Sequence, residues 1–384
     1  YSFTKFQRIE GHGVNMTAIS EVSKLSWRAI ENDYTLDQYE EELEKIRTRK
    51  RNYTPWQVAI GAGFACGGFC IQFGCDWMAF LYASIAAIIG MRVRAKCNES
   101  GLNHYMGIAI SAFIATMLAW ASTLLPAEWT STPWHPLLAC ALFIVPGVPL
   151  INFVDDMLDN YIQVGIVRAV NTLLMVSAMA FGIAFAVKLC SIGDFFPTIS
   201  MVPHHNYLEY AIAAAISAMG FSMIFNIQRR LLWVVAIGGI IAVCTRNFVN
   251  LGPSTNNIGL DMGLVIGSFS GSVLVSLIAI KAVHWFHVPN HVLTIPSVIP
   301  MIPGVLMYRM LFGLINMNVQ SIDQVTPLMK AIESGVNSGL VIMCIALGVA
   351  IPNIFGRKYI ASSKNKRLAE ILKERKARGK FVEW

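Results

Sequence analysis

The chain has 384 residues, of which 55% are hydrophobic and only 14% are charged, and its mean hydropathy is +0.54. This composition excludes a soluble globular domain, and because the apolar residues come in blocks of about 20, it predicts an all-α polytopic membrane protein. The net charge of +7 comes mainly from loops and the C-terminal end. Basic residues there are typical of anchors at a cytoplasmic membrane surface rather than of nucleic-acid contacts.

Residues 1–53 are polar and are expected to form a short cytoplasmic helical region. Apolar residues recur at helical spacing between Ile19 and Ile30, which predicts an amphipathic helix. Thr35, followed three residues later by Gln38, is typical of a capping box at the start of a second helix. Because the chain starts with Tyr1 rather than Met, we expect an upstream piece to precede it.

Ten apolar segments follow, each long enough to cross a bilayer. They are predicted at 55–74, 77–95, 104–124, 136–155, 163–187, 207–226, 231–249, 259–281, 292–316 and 328–352. Lys and Arg cluster after the even-numbered spans, whereas the loops 126–136 and 316–327 contain neither. The positive-inside rule therefore predicts that both termini are cytoplasmic, in a plasma or inner membrane.

The two halves of the chain repeat each other. The segment 73–94 aligns with 225–246, and Val145-Pro-Gly147 aligns with Ile302-Pro-Gly304. Each half has five spans, an odd number, so the second half enters from the opposite side and the repeat is inverted, as in many secondary transporters. The predicted domains are the cytoplasmic region 1–53, the first repeat 54–190, an extracytoplasmic linker 191–206, the second repeat 207–354 and a basic cytoplasmic tail 355–384.

A stripe of glycines marks a packing face in the eighth predicted span. It consists of Gly259, Gly263, Gly267 and Gly271, one small residue at every fourth position. In lipid this spacing lets two helix backbones approach closely, so we predict that all four glycines pack against another helix.

Each repeat also has a Pro-Gly pair inside an apolar run, Pro146-Gly147 and Pro303-Gly304. Proline removes a backbone donor and breaks a helix, and a broken helix is tolerated in lipid only beside protein or a water-filled cavity. A helix that restarts at such a break has unpaired N–H groups and a partial positive charge, which suit a carboxylate. We hypothesise that the two breaks cross near the midplane and form one transport site; a pair of packing kinks is the alternative.

Charged residues follow both breaks. In the first half, Asp156 is a candidate for a proton or a substrate ammonium, with Arg168 as its partner or as a carboxylate ligand. A structural ion pair at the cytoplasmic edge is the alternative. Asp155 is a further candidate for substrate binding or coupling, with a position at the membrane interface as the favoured alternative. In the second half, Arg309 and Glu333 are predicted to form a pair or to bind substrate, because isolated charges in a span are costly.

Other kinds of site are not indicated. His284, His287 and His291 have a spacing that Pro289 interrupts, which favours an interfacial loop over a zinc site. The sequence has no Gly-rich phosphate loop, no nucleophile–base arrangement and no HExxH motif. We therefore predict no enzyme activity, no metal, no cofactor and no direct drive by ATP.

At this point the motifs resemble the threonine/serine exporter (ThrE) family in its fused two-half form. The residues that carry the resemblance are Val145-Pro-Gly-Val-Pro-Leu-Ile-Asn152, Asp156, Gly165, Arg168, Ile302-Pro-Gly304 and Tyr308. The resemblance implies export of small hydrophilic metabolites, threonine and serine in the founding case, driven by the proton gradient. Relatives split into two chains are similar to dicarboxylate exporters, so dicarboxylate export is the alternative, ahead of a membrane receptor or scaffold.

The partners expected from this interpretation are a small-molecule substrate, protons and membrane lipid, with no nucleic acid. Asn152 and Tyr308 join the candidate site through the resemblance. Whether the protein forms a homo-oligomer is left open.

Overall fold

The computed structural model describes residues 13–124, 126–190, 205–253, 258–315 and 325–377, which form fourteen α-helices and no β-strand. Two helices precede the apolar part, namely α1 (Met16–Asn32) and α2 (Leu36–Thr48). The first half then contains α3 (Pro55–Gln72), α4 (Trp77–Glu99), α5 (His104–Ala121), α6 (Pro136–Ala139), α7 (Gly147–Leu158) and α8 (Ile162–Leu189). The second half contains α9 (Tyr207–Ile224), α10 (Leu232–Asn250), α11 (Leu264–Phe286), α12 (Asn290–Val298), α13 (Gly304–Ile315) and α14 (Val325–Ala377).

Seven of these helices are long and apolar enough to cross a membrane, and the count reaches eight if α12 and α13, which bend by 62° at their break, form one span. The chain is therefore a multi-pass membrane protein. The sequence predicts ten spans, and the two others correspond to α3 and to the segment that contains α6 and α7. Four glycines and two glutamines make α3 less apolar, and turns divide the other segment into short helices.

Side-chain caps set the starts of the helices near the N-terminus. The predicted capping box is confirmed, because the Gln38 N–H donates to Thr35 Oγ1 at 3.3 Å and the Thr35 N–H donates to Gln38 Oε1 at 3.0 Å. Thr54 and Gln57 form a second box with the same two distances at the start of α3. Both boxes satisfy backbone donors that a helix start leaves unpaired.

Asp76 begins α4 and ties it to the loop that follows α5. Its Oδ1 accepts from the Ala79 N–H at 2.7 Å, and its Oδ2 accepts from Thr130 Oγ1 at 2.8 Å and from the Ser131 N–H at 2.7 Å. Burial alone would raise the pKa of Asp76, but these hydrogen bonds outweigh it and hold the pKa below its ordinary value.

The two halves meet along α3 and α9, where small residues let the backbones come together. A Cβ at Gly68 would lie 2.6 Å from the Ala213 carbonyl oxygen, and a Cβ at Gly61 would lie 2.9 Å from Met223 Cβ. Ser217 Oγ donates to the Ala65 carbonyl across the same contact at 3.2 Å. Close backbone approach of this kind is typical of helix pairs in lipid.

The predicted glycine stripe is partly wrong. The helix α11 begins at Leu264, with Gly263 as its N-cap at φ +87°, so Gly259 and Gly263 lie before the helix rather than on its face. Gly267 and Gly271 do pack on α10, close to the carbonyl oxygens of Arg246 and Ala242. A positive φ favours glycine, so Gly263 is explained by its cap conformation. The four-residue spacing of glycines therefore continues before the start of the helix without a packing role there.

Helix contacts repeat between the halves. Within the first half, α4 packs on α3 and α5, while α8 packs on α5 and α7. Within the second half, α10 packs on α9 and α11, while α14 packs on α11 and α13. The halves also exchange contacts, since α7 packs on α14 and α13 packs on α8. Corresponding helices therefore have corresponding neighbours.

The N-terminal helix α1 is docked on the turn between α9 and α10. The Met16 N–H donates to the Phe225 carbonyl at 3.0 Å, and Asn226 Nδ2 donates to Asn15 Oδ1 at 2.8 Å. Asn226 Oδ1 accepts from the Asn52 N–H at 2.8 Å, so one side chain binds both ends of the N-terminal region. Asn226 has φ +57°, in the left-handed region that asparagine tolerates better than most residues.

Candidate functional site: the meeting of two broken helices

Each Pro-Gly pair forms the same turn. The Gly147 N–H donates to the Val145 carbonyl at 2.8 Å, and the Gly304 N–H donates to the Ile302 carbonyl at 2.8 Å. Pro146 has φ −78° and ψ +62°, the conformation of an inverse γ-turn. The helices α7 and α13 start directly after these turns, as the sequence predicts. The Leu150 N–H donates to the Pro146 carbonyl at 2.9 Å and Pro149 has no N–H, so the first turn of α7 leaves only the Val148 N–H for another group.

The two turns face each other across the boundary between the halves. A Cβ at Gly147 would lie 2.8 Å from Ile302 Cδ1 and 3.2 Å from Ile299 Cγ1. A Cβ at Gly304 would lie 2.7 Å from Leu142 Cδ2. Each glycine therefore contacts the apolar residues that precede the other Pro-Gly pair. The structure brings Pro146-Gly147 and Pro303-Gly304 together.

A cavity of about 1110 Å³ opens beside the first turn. Pro146, Gly147 and Pro149 line it on one side. It extends toward the end of the molecule that carries the N-terminal region, because Val14 and Tyr53 also line it. A space of this size holds a small metabolite together with water.

The polar groups of the cavity come from α4, α5 and α8 and from the chain between α2 and α3, and its charged residues are Arg51, Arg94 and Glu99. Arg94, Tyr105 and Asn171 all line it. Tyr105 Oη donates to Asn171 Oδ1 at 2.7 Å and so links α5 to α8. Tyr53 lies at the same end, where burial raises the pKa of its hydroxyl and the nearby Arg229 only partly opposes this. Tyr53 is therefore neutral at physiological pH.

Sequence reasoning missed Arg94 as a site residue. Because it lies near the end of a span, it was used only as a basic residue that indicates the membrane topology. The stronger clue was the repeat itself, in which Arg94 aligns with Arg246, so that both halves carry an arginine at the same place in a span. Asn171 does make the helix-to-helix hydrogen bond that is usual for a polar residue in a span.

The charged residues that the sequence proposes for the first half lie apart from the cavity lining. Arg168 Nη1 donates to Asp156 Oδ2 at 2.5 Å, with 44% of the Arg168 side chain and 21% of the Asp156 side chain exposed. Asp155 Oδ2 lies 3.9 Å from His291 Nε2 and so connects α7 with α12 of the other half. Asn152 is half-buried on α7. The lining of the cavity includes none of these four candidate residues.

The candidates of the second half lie on two helices. Arg309 is half-buried on α13, and Glu333 is exposed on α14. Tyr308 also belongs to α13, and its side chain lies outside the described part of the structure. The predicted pairing of Arg309 with Glu333 stays a prediction.

Across the ranges that the structure describes, no group of three or more His, Cys, Asp or Glu side chains could hold a metal ion. His287 ends α11 in a left-handed conformation with φ +52°, and the side chain of His284 lies outside the described part.

Two family models match the chain, one for each half. The model described as "Putative threonine/serine exporter" matches residues 1–190, and the model described as "Threonine/Serine exporter, ThrE" matches residues 210–355. No solved structure matches the chain.

Two similar curated proteins carry the name "Probable succinate transporter subunit YjjP". The one from Klebsiella aerogenes is 26% identical over 186 residues, which are 48% of this chain and 71% of that protein. The one from Escherichia coli K12 is 27% identical over 186 residues, which are 48% of this chain and 72% of that protein. Together with the apolar helices, these matches support a membrane exporter. The chain belongs to the threonine/serine exporter family, in the fused form that carries both halves on one polypeptide.

Proposed function

We propose that the protein is a secondary transporter that exports threonine, serine or similar small hydrophilic carboxylates by proton antiport. The observation that carries this proposal is the first Pro-Gly turn, which lines the 1110 Å³ cavity and also packs against the residues that precede the second turn. The start of α7 lies in the cavity wall, and its partial positive charge favours a carboxylate, while Tyr105, Asn171 and Arg94 add hydrogen-bond partners for a polar substrate.

The proposal includes alternating access by two inverted five-helix repeats in ten spans, with both termini in the cytoplasm of a plasma or inner membrane. The matching helix contacts of the two halves support the repeat, and the distribution of Lys and Arg supports the orientation. In this orientation the cavity opens to the cytoplasm, and the described conformation is ready to receive substrate from inside.

Coupling to protons is proposed for the charged residues near the breaks. Asp156 is the first candidate because it is an acidic residue beside a broken helix and has one basic partner, Arg168. Asp155 is the second, because its contact with His291 joins the two halves. Asn152, Tyr308, Arg309 and Glu333 complete the proposed set as substrate or coupling residues.

The test is counterflow of labelled threonine, serine and succinate in proteoliposomes, with and without an imposed pH gradient. Exchange of threonine or serine that the gradient accelerates is the expected result. Exchange that is insensitive to the gradient would contradict proton antiport, and no exchange of any of the three would contradict the proposal. The Asp156→Asn variant should lose the gradient effect, whereas a receptor or scaffold would be indifferent to it.

Dicarboxylate export is the second candidate. It is favoured by the printed names of the two bacterial relatives, which are called succinate transporter subunits. The structure offers two arginines in the cavity lining, Arg51 and Arg94, and a third one near the opposite break, Arg309. Exchange of succinate but not of threonine or serine would select this candidate.

A further inference from the structure

The sequence repeat relates the cavity to a second cluster at the other end of the molecule. The alignment of 73–94 with 225–246 places Arg94 opposite Arg246, and its continuation places Ile224 opposite Gln72. Arg94 and Ile224 both line the cavity. Arg246 lies at the far end of α10, roughly 20 Å along the helix axis from the turn that binds α1.

At the cavity end, Arg94 faces open space. Over the described ranges, no side chain forms a hydrogen bond or an ion pair with its guanidinium. A guanidinium keeps its charge at any physiological pH and has five donors but no acceptor. Glu99 on the same helix also lines the cavity, but no described contact joins its carboxylate to Arg94. An arginine without an ion-pair partner in such a cavity is suited to bind the anion of a substrate reversibly.

At the opposite end the corresponding arginine is enclosed. Arg246 Nη2 donates to Gln72 Oε1 at 3.4 Å, and its Nε donates to Asn247 Oδ1 at 3.1 Å. Because a guanidinium can only donate, both amide oxygens are turned toward it, and both NH₂ groups must point elsewhere.

These two NH₂ groups are donors without acceptors. Gln72 is only 6% exposed and Asn247 only 3% exposed, and no described atom accepts a hydrogen bond from Gln72 Nε2 or Asn247 Nδ2. Leaving a buried donor unpaired is costly, and native proteins rarely do so without a functional reason. The cluster therefore has an excess of donors beside a positive charge, which is the chemistry of a carboxylate site.

We propose that Arg94 binds the carboxylate of the transported substrate at the cytoplasmic end and that Arg246, with Gln72 and Asn247, binds it at the opposite end. The inference rests on the proposed transport function and specifies how its substrate is recognised. In the described conformation the Arg94 guanidinium faces the open cavity, whereas the Arg246 guanidinium is bonded to the side-chain amides of Gln72 and Asn247. When the opposite end opens, the Gln72 and Asn247 oxygens release Arg246, and a substrate carboxylate takes their place.

The experiment compares wild type with Arg94→Gln and Arg246→Gln in proteoliposomes of known orientation. It uses the labelled carboxylate that wild type exchanges, with the matching amide as competitor: threoninamide, serinamide or succinamate. Lys96→Gln is the matched control, since it removes one positive charge from the same helix at an exposed position outside the cavity lining. Half-saturating concentrations are measured separately at each membrane face.

Arg94→Gln should raise the half-saturating concentration ten- to a hundred-fold at the face that carries the N-terminal region, and Arg246→Gln should do so at the other face. In each variant the preference for the carboxylate over its amide should disappear at the affected face. Lys96→Gln should behave as wild type. If Arg94→Gln does not reach the membrane, Arg94→Lys, which keeps the charge but loses the two-pronged geometry, should show a smaller increase at the same face.

Unchanged concentrations and an unchanged preference in both variants would overturn the inference while the proposed function stands. An equal effect at both faces would overturn the assignment of one arginine to each end. If wild type exchanges none of the labelled carboxylates, the proposed function is refuted and this inference with it.

Discussion

The contact between the two Pro-Gly turns can be tested by adding a methyl group at Gly147 and removing one from Ile302. In Gly147→Ala the new Cβ would lie 2.8 Å from Ile302 Cδ1, which is too close for two carbon atoms. Overpacking of this kind costs about 2 kcal/mol. Ile302→Val removes the Cδ1 atom and by itself costs about 1 kcal/mol.

If the halves meet as the structure shows, the double variant Gly147→Ala/Ile302→Val should cost less than the sum of the two single changes, by about 1 kcal/mol. The assay is the melting temperature of the four purified proteins in detergent, with counterflow in proteoliposomes as the functional readout. Gly339→Ala on α14 is the matched control, because nothing lies within 4 Å of its new Cβ. It should melt at or above the wild-type temperature, since alanine favours helices by about 1 kcal/mol over glycine.

Strictly additive effects of Gly147→Ala and Ile302→Val would refute the contact between the halves. The larger change Gly147→Leu cannot be relieved by one methyl group, and we expect it to abolish transport while the protein still inserts into the membrane. Normal counterflow in Gly147→Leu would reject the Pro-Gly turns as part of the transport site.

Three further predictions concern contacts outside the cavity. Asn226→Ala should release α1 and make the chain between α2 and α3 more sensitive to trypsin, and unchanged cleavage would contradict the docking role of Asn226. Asp156→Arg and Arg168→Asp should each lower the melting temperature, by up to about 1 kcal/mol of stability for a part-exposed pair, and the two changes together should restore it. The double variant should still lack acceleration of transport by the pH gradient. Asp76→Asn should lower stability by about 1.5 kcal/mol at neutral pH. Because the pKa of Asp76 is below its ordinary value in the folded protein, this difference should be complete above pH of about 4 and shrink as the pH falls through the folded value. A difference that is constant from pH 7 to pH 3 would contradict the role of the ionised carboxylate.

Local sequence signals predicted the local structure well. The capping box at Thr35 depends only on two side chains that are three positions apart, and it is present as expected. The Pro-Gly turns follow from the chemistry of proline in the same way. That the two turns meet was a hypothesis drawn from the paired Pro-Gly motifs, and Gly147 does pack against Ile302 of the second motif.

Features that depend on distant contacts were harder to predict. The sequence suggested that Asp156 and Arg168 belong with the broken helix, but α7 carries Asp156 two turns away from Gly147, and the pair lies apart from the cavity lining. Conversely, Arg94 is distant from the Pro-Gly motif along the chain and reaches the cavity only because α4 folds back along α3 and α5. Glycine spacing alone could not distinguish the cap Gly263 from the packing residue Gly267, because the difference is a backbone angle.

The docking of α1 on Asn226 has a consequence for regulation. The N-terminal region is bonded to the turn after α9 in the second half, while its own chain continues directly into α3 of the first half. It therefore links the two halves, which would have to move relative to each other in the proposed transport cycle. If α1 docks on Asn226 in only one conformation of that cycle, a ligand that favours the undocked form shifts the balance between the conformations by its difference in affinity for the two forms. The rate of the proposed export would then be set at the N-terminal region, without any contact with the substrate.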